Sequence, residues 1–281
     1  MNKLILKIIT YLFYKSNAIK QGVFALMSYD LKNNQFDFNL FLRSFPELYE
    51  EADKYPSVFN DGYKHIDKAI ELARFFNLPS ENLVLDVGAA SGITSIRFSK
   101  AFPSSVIYAF EPIPDTFQIL KRETAGYPAI EIINKALGNE IKSLNIHLAA
   151  RVTSSSLLDI EKNLTNEFWK KNLKEEGTIQ VQMSKLDVDI PQEKNVSILK
   201  MDVQGYELEV LKGGVETLNR TAIVLVEMQN HDLYIGAPKY YQIDEFMRNN
   251  NFELYNMIPS IRQDEKIYEW DAIYVNKNIQ R

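Results

Sequence analysis

The 281-residue chain has no cysteine. That removes disulfides, thiolate-bound zinc, iron–sulfur clusters and a thiol nucleophile together, but it excludes neither an oxidising nor a reducing compartment. Positive charge is in deficit as well: 32 Lys and Arg stand against 37 Asp and Glu, a net charge of -5 and a pI near 5.4. No nucleic-acid partner is expected, since polyanions select basic faces. No apolar run is long enough to span a bilayer. The best, Leu4 to Tyr14, has eleven residues and is interrupted by Lys7, whereas a spanning helix takes about 20. Lys15-Ser16-Asn17-Ala18 follows it, with no small-residue cleavage site, so it is not read as a signal peptide. As a helix this segment keeps Lys3, Lys7 and Thr10 on one narrow stripe. It then packs on the body of the protein or on a second copy, or residues 1–15 make a peripheral membrane contact with snorkelling lysines. The expected location is the cytoplasm, with or without that contact.

What is present is ordinary for a soluble globular protein: 46% hydrophobic and 25% charged residues, in a chain long enough to bury a large core. Residues 1–60 read as a helical extension rich in turns, and 61–281 as the main domain. A helix is expected over His65–Phe76, where Ile66, Ala69, Ile70 and Ala73 keep helical spacing. Strands then alternate with helices. Strands are expected at Asn82–Val87, Ser105–Phe110, Ile130–Asn134, Val196–Met201 and Ala222–Glu227, with helices at Ile93–Phe102, Pro114–Thr124 and Tyr241–Asn249. Apolar strands separated by helices predict a mostly parallel sheet in an α/β fold. Phe252–Met257 and Asp271–Val275, joined by a loop, suggest an antiparallel strand at the edge. Between the third and fourth strands lies an insertion, about residues 139–195. It carries two alternating strands at Ser143–Leu148 and Thr178–Met183 and a helix at Asp159–Lys171. Long insertions on such frameworks commonly hold substrate recognition.

Leu85-Asp86-Val87-Gly88-Ala89-Ala90-Ser91-Gly92 leaves the first strand and enters a helix near Ile93. Gly88 can take backbone angles closed to other residues, the two alanines keep the approach open, and the helix N-terminus offers unpaired N–H groups to a ligand. A glycine turn in a buried sheet would explain this much alone. Nineteen positions after Gly92, Glu111 ends the second strand, where a carboxylate accepts from both hydroxyls of a ribose. The G-x-G-x-x-G dinucleotide fingerprint is missing, which disfavours a nicotinamide-dependent dehydrogenase.

A second block reads Ile198-Leu199-Lys200-Met201-Asp202-Val203-Gln204-Gly205-Tyr206-Glu207, followed by Val210-Leu211-Lys212-Gly213-Gly214. With the cofactor turn it resembles the FkbM-type methyltransferases, which carry K-x-D-x-[EQ]-G-x-E and then V-L-K-G. Ala136-Leu137-Gly138, Leu186-Asp187, Val226-Glu227 and Asp271-Ala272-Ile273-Tyr274 extend the likeness over about residues 60–276. Gln204 stands where that family more often has Glu. The resemblance implies a Rossmann-like, seven-stranded, mostly parallel class I methyltransferase fold. It also implies S-adenosylmethionine as cofactor, and O-methylation of a hydroxyl on a sugar, glycan, lipid or secondary metabolite. Asp86, Gly88, Ala89, Ser91, Gly92, Glu111, Pro112 and Asp202 are then the expected cofactor residues.

Asp202 and Glu227 end the fourth and fifth strands, so both face the crevice where an acceptor would approach. Three roles stay open for them: general base, a pair holding a divalent metal, or a partner of the methionine ammonium. Alternatively Asp202 caps the helix near Gly205. Lys200 is placed to pair with a carboxylate. His231, four residues after Glu227, is the best placed of His65, His147 and His231 for catalysis, although a loop histidine is commonly solvated. Tyr234, Tyr240, Tyr241 and Trp270 are candidates to stack on a sugar, and Ser154, Ser155 and Ser156 to bond an acceptor. The expected partner is a small-molecule or glycan acceptor, with a homo-oligomer open. A base N-methyltransferase is disfavoured, as no N-P-P-[YF] tetrapeptide occurs. The rival of another class is a non-catalytic S-adenosylmethionine-binding or scaffold protein.

Overall fold

A computed structural model describes residues 63–164, 167–263 and 265–278. The N-terminal extension and its apolar segment lie outside the described residues. The first described helix, α1 (Lys64–Phe75), buries Ile66, Ala69, Ile70, Leu72 and Ala73 along one stripe. Strand β1 (Leu83–Val87) is buried at every position, as expected of a strand covered on both faces. Helix α2 (Ile93–Ala101), β2 (Ile107–Phe110), α3 (Pro114–Glu123) and β3 (Ile130–Ile133) follow. Proline opens α3 because its missing N–H costs nothing in a first turn.

The insertion begins with β4 (Ala136–Leu137) and β5 (Lys142–Ala149), then α4 (Glu167–Asn172) and β6 (Glu175–Ser184). These strands form a separate small sheet in the order β4-β6-β5. The helix expected over Asp159–Lys171 is thus confined to its last part. Upstream, Ile160 makes a β-bridge to Tyr234, Glu161 N–H donates to Leu233 O at 2.8 Å, and Ile235 N–H to Asp159 O at 2.8 Å. Pairing with a neighbouring chain segment takes the backbone groups that a helix would have used.

After α5 (Leu186–Asp189) come β7 (Val196–Met201), α6 (Glu207–Lys212), α7 (Val215–Asn219), β8 (Thr221–Gln229), α8 (Tyr240–Asn249), β9 (Phe252–Gln263) and β10 (Lys266–Asn276). Seven of the described strands make one sheet in the order β3-β2-β1-β7-β8-β10-β9. The first five run parallel, and β10 is antiparallel to both β8 and β9. An edge position was expected for the antiparallel strand. It lies one place in, with β9 outside it, because β10, the second strand of the hairpin, inserts between β8 and β9. This is the class I methyltransferase fold, with the order reversing between β1 and β7, where ligands bind in open α/β sheets.

Alternation along the strands sorts the two faces. Leu85, Val87, Leu199, Met201, Val224, Val226, Ala272 and Tyr274 join the main core, with Val210, Leu211, Ile243 and Met247 from the helices beyond. The intervening positions Asp86, Lys200, Glu227 and Asp271 share the opposite face, which α1 and α2 approach. Phe76, just past α1, meets Tyr255 of β9 at 5.8 Å between ring centroids, and Asp67 pairs with Arg97 of α2. No helix among the described residues is long and apolar enough to cross a membrane.

Candidate active site

The turn after β1 has left-handed backbone at Gly88 (φ 75), Ala90 (φ 48) and Gly92 (φ 87). A β-carbon on Gly88 would stand 1.9 Å from Asp202 O, so the turn is pressed against the end of β7. Helix α2 starts immediately after Gly92 with no side-chain cap, which leaves its first N–H groups to a ligand. Ala89 is buried, while Ala90 and Ser91 are partly exposed along the turn.

Asp86 is fully buried beneath this turn. Ser95 Oγ donates to it at 2.6 Å, and Lys200 Nζ lies 3.1 Å from its other oxygen. Lys200 also donates to Gly88 O at 2.9 Å. Asp86 therefore serves the site by holding the turn through Ser95 and Lys200. The expectation that Lys200 pairs with a carboxylate is met.

Glu111 follows β2 and is 5% exposed. Ala90 N–H donates to its Oε2 at 3.0 Å and Ile113 N–H to its Oε1 at 2.9 Å. Each oxygen keeps a further acceptor position. Burial pushes its pKa up to about 7, against the two backbone donors and Lys200, which lower it. Asn134 Nδ2 clamps the backbone here, donating to Glu111 O at 2.8 Å and Pro112 O at 3.1 Å. A turn with an open helix end, tied to a buried carboxylate with spare lone pairs, fits the nucleoside part of S-adenosylmethionine.

Across the strand-order reversal, Gln204 joins the two expected carboxylates. Its Nε2 donates to Asp202 Oδ1 at 2.6 Å and to Glu227 Oε2 at 2.9 Å. Tyr234 Oη lies 2.8 Å from both Gln204 Oε1 and Ser154 O, with one proton for the two. Ser156 Oγ donates to Gln204 O at 2.7 Å. The backbone at Gln204 (φ 56) and Gly205 (φ 96) is left-handed. Behind it, Glu207 accepts from Val203 and Gly205 N–H at 3.0 and 3.2 Å, and burial raises its pKa to about 7. Burial, then the charges of Asp202, Glu269, Asp271 and Glu207, holds Glu227 well above the usual carboxylate range. Asp271, opposite Glu227 in the β8–β10 register, is raised to about 7 by burial and Asp202.

A metal does not fit this donor set. An amide NH₂ fills the gap between Asp202 and Glu227, and no group of three or more His, Asp or Glu among the described residues is arranged to hold an ion. His231 is turned to Glu269, at 3.2 Å, and lies against the rings of Trp169 and Tyr268, at 4.9 and 5.6 Å. His147 stands in the insertion between Asp159 and Glu175. Trp270 belongs to the buried core and is unavailable for stacking on a sugar, whereas Tyr240 and Tyr241 are exposed. Of the three serines, Ser154 and Ser156 hold Tyr234 and Gln204, and Ser155 Oγ accepts from Ala149 N–H at 3.1 Å.

Two further residues arrive that spacing did not single out. His65, in the first turn of α1, places Nδ1 3.3 Å from Asp271 Oδ2. Its only sequence signal is its position beside the buried stripe of α1. Asp271 was visible as part of a motif but carried no assigned role.

The FkbM methyltransferase domain matches residues 86–254. Among known proteins, "Methyltransferase 1" of Beauveria bassiana is 30% identical over 161 residues, covering 53% of this chain and 63% of that protein. This chain thus spans less than two thirds of that relative. The "2-O-methyltransferase NoeI" of Sinorhizobium fredii is 24% identical over 185 residues, covering 63% of this chain and 74% of that protein. Among solved structures, the magnesium protoporphyrin IX methyltransferase of Synechocystis PCC 6803, with bound S-adenosylmethionine, matches at a TM-score of 0.43. It has 12% identity and covers 75% of this chain and 79% of that one.

Proposed function

This chain belongs to the FkbM methyltransferase family, and from that premise we propose that it is an S-adenosylmethionine-dependent O-methyltransferase acting on a hydroxyl of a sugar, glycan, lipid or secondary metabolite. The observation that carries this reading is the tie between Glu111 and the turn. One oxygen of a buried carboxylate accepts the N–H of Ala90 within the Gly88–Gly92 turn, and the other that of Ile113. A ribose diol and an adenosine-linked chain suit that shelf. The oxygen acceptor is supported by the 2-O-methyltransferase among the relatives.

The cofactor supplies an activated methyl on a sulfonium. This chain's residues do the rest: they align the acceptor and take charge of its proton. Gly88 to Gly92, Glu111 and Pro112 hold the nucleoside end, with Asp86 and Lys200 fixing the turn from beneath. Asp202 and Glu227, oriented by the Gln204 amide, line the crevice where a cation and the acceptor meet. Glu227, raised first by burial and then by the neighbouring carboxylates, favours a positive guest, because a cation lowers the cost of ionising it.

Calorimetry of S-adenosylmethionine binding tests the cofactor assignment. Glu111→Ala is expected to weaken binding roughly 10- to 100-fold, as two charge-assisted hydrogen bonds are lost; binding unchanged in this variant sinks it. S-adenosylhomocysteine release on a panel of hydroxyl-bearing glycans and lipids tests the transfer. Tight binding with no release from any acceptor would favour a non-catalytic binding protein.

A further inference from the structure

Resting on the methyl-transfer reading, we propose that Tyr234 is a positioning residue of the active site. Its hydroxyl fixes the Gln204 amide so that the amide donates to both Asp202 and Glu227, and through Ser154 it ties that setting to the insertion.

Tyr234 is 2% exposed, so its ring is closed to a sugar face and cannot take the stacking role expected of it from the sequence. It is buried with Ile160, Trp169, Leu173 and Leu233, and its backbone bridges to Ile160 of the insertion. Packing of this kind places the hydroxyl, 2.8 Å from Gln204 Oε1 and 2.8 Å from Ser154 O. Both of those oxygens can only accept, so the hydroxyl is the donor between them. The turn it reaches is fixed from several directions. Gln204 has left-handed backbone (φ 56), and Ser156 Oγ donates to its carbonyl at 2.7 Å. A β-carbon on Gly205 would stand 3.1 Å from Ala237, 3.3 Å from Tyr234 and 3.4 Å from Leu158. With the backbone held, what remains to be set is which end of the amide faces which neighbour. Only the oxygen end can accept from Tyr234. That leaves the NH₂ end to Asp202 Oδ1 at 2.6 Å and Glu227 Oε2 at 2.9 Å.

Without the hydroxyl, two carbonyl oxygens face each other in a buried place with no proton between them. The amide relieves this by swinging away, and it takes both of its donors with it. Glu227 then meets Asp202 directly, with Glu207 of α6 and Glu269 and Asp271 of β10 adding to the repulsion and Lys200 of β7 opposing it. A carboxylate that loses a donor becomes harder to ionise, and Glu227 already stands well above the usual carboxylate range. A positive guest in the crevice is held by the ionised acids. Removing the Tyr234 hydroxyl therefore weakens cofactor binding most at low pH, where those acids are least ionised.

The test is calorimetry of S-adenosylmethionine binding to the full-length protein at pH 6.5 and 8.5, with Tyr234→Phe, Gln204→Met and the double variant. Phenylalanine keeps the packing of the ring and removes the hydroxyl alone. At pH 6.5 Tyr234→Phe is expected to weaken binding about tenfold, the equivalent of one pKa unit, and at pH 8.5 by about threefold or less. In the Gln204→Met background the same substitution should change the Kd by less than about twofold, because the amide it acts on is gone. Independently of any ligand, the Gln204 side-chain NH₂ resonances, identified by their absence in Gln204→Met, should move with pH in the wild type. In Tyr234→Phe they should lose most of that dependence. Wild-type binding in Tyr234→Phe overturns the proposal. Equal weakening at both pH values, or additive effects in the double variant, also overturns it and marks a packing role. A wild-type protein that binds no S-adenosylmethionine defeats the cofactor reading instead, and the amide resonances then decide whether Tyr234 sets the amide.

Discussion

The amide of Gln204 gives each of two neighbouring carboxylates a proton to accept, and its own oxygen takes the Tyr234 hydroxyl. A glutamate at this position would replace that donor with a third acid among Asp202 and Glu227. Gln204→Glu is therefore expected to be nearly neutral at pH 5.5, where the new acid is protonated and can still donate one hydrogen bond. At pH 8 it should cost about 2 kcal/mol, as an ionised group meets two others without a donor between them. Thermal melts of the variant and wild type at the two pH values check this, and an equal shift at both would contradict it. The K-x-D-x-[EQ]-G-x-E block made Asp202 and Gln204 visible because its members run without interruption from the end of β7 through the turn to the first residue of α6. His65 and Asp271 were not legible in that way. They meet only when α1 packs over β10, a contact between opposite ends of the chain that no local spacing encodes.

Three of the motifs that announced the family converge on one corner, where β4, α5 and α7 meet. A β-carbon on Gly213 would stand 1.9 Å from Gly138 O, and one on Gly214 2.7 Å from the Leu186 side chain. Helix α7 has no cap of its own at Gly214. Asp187 supplies it from α5, accepting from Glu216 N–H at 3.1 Å and from Thr217 N–H and Oγ at 2.7 and 2.8 Å. Asp187→Ala should then lose about 1 kcal/mol of stability, the usual worth of a helix cap, and leave kcat/KM unchanged. Gly213→Ala should lose more, because backbone has to move. Denaturant unfolding beside steady-state kinetics reads both, and a fall in kcat/KM for Asp187→Ala at temperatures where it is folded would place this corner in the site after all. The strands of the main sheet were legible because they are apolar runs bounded by turns. The helical part of the insertion was overestimated, since Ile160 and Trp169 have the burial of a helix face but are reached by a bridge to Tyr234 and by the short α4 respectively. Two-residue β4 gives no periodic signal, as it is shorter than a helical turn, covers a single repeat of the strand pattern, and is apolar at both positions.

Taken over the whole molecule, the site concentrates acids that folding makes harder to ionise. Glu111, Glu207 and Asp271 each reach about 7 from 4.5, 4.5 and 3.8, and Glu227 moves the same way. A folded pKa above the unfolded one means that the native state binds more protons in between, so stability is greatest at low pH and falls as pH rises through the folded value. His65 has the opposite sign: lowered from 6.5 to about 4, it adds stability as pH rises across that window. Below 6.5 the single histidine offsets part of the loss from the carboxylates. From about 6.5 to 8 nothing in the pocket opposes them. The protein without cofactor should therefore lose Tm across that upper interval, on the order of several °C for a fall of one or two kcal/mol. A bound cation lowers the cost of ionising these groups, so the slope should flatten with saturating S-adenosylmethionine. It should flatten less with S-adenosylhomocysteine, which binds the same shelf but carries a neutral thioether in place of the sulfonium. Melting curves from pH 5 to 8 in the three states separate the terms. A Tm that rises between pH 6.5 and 8 in the cofactor-free protein would mean that Glu111, Glu207, Glu227 and Asp271 are not held in their protonated forms, and with that the charge match to a sulfonium would be lost.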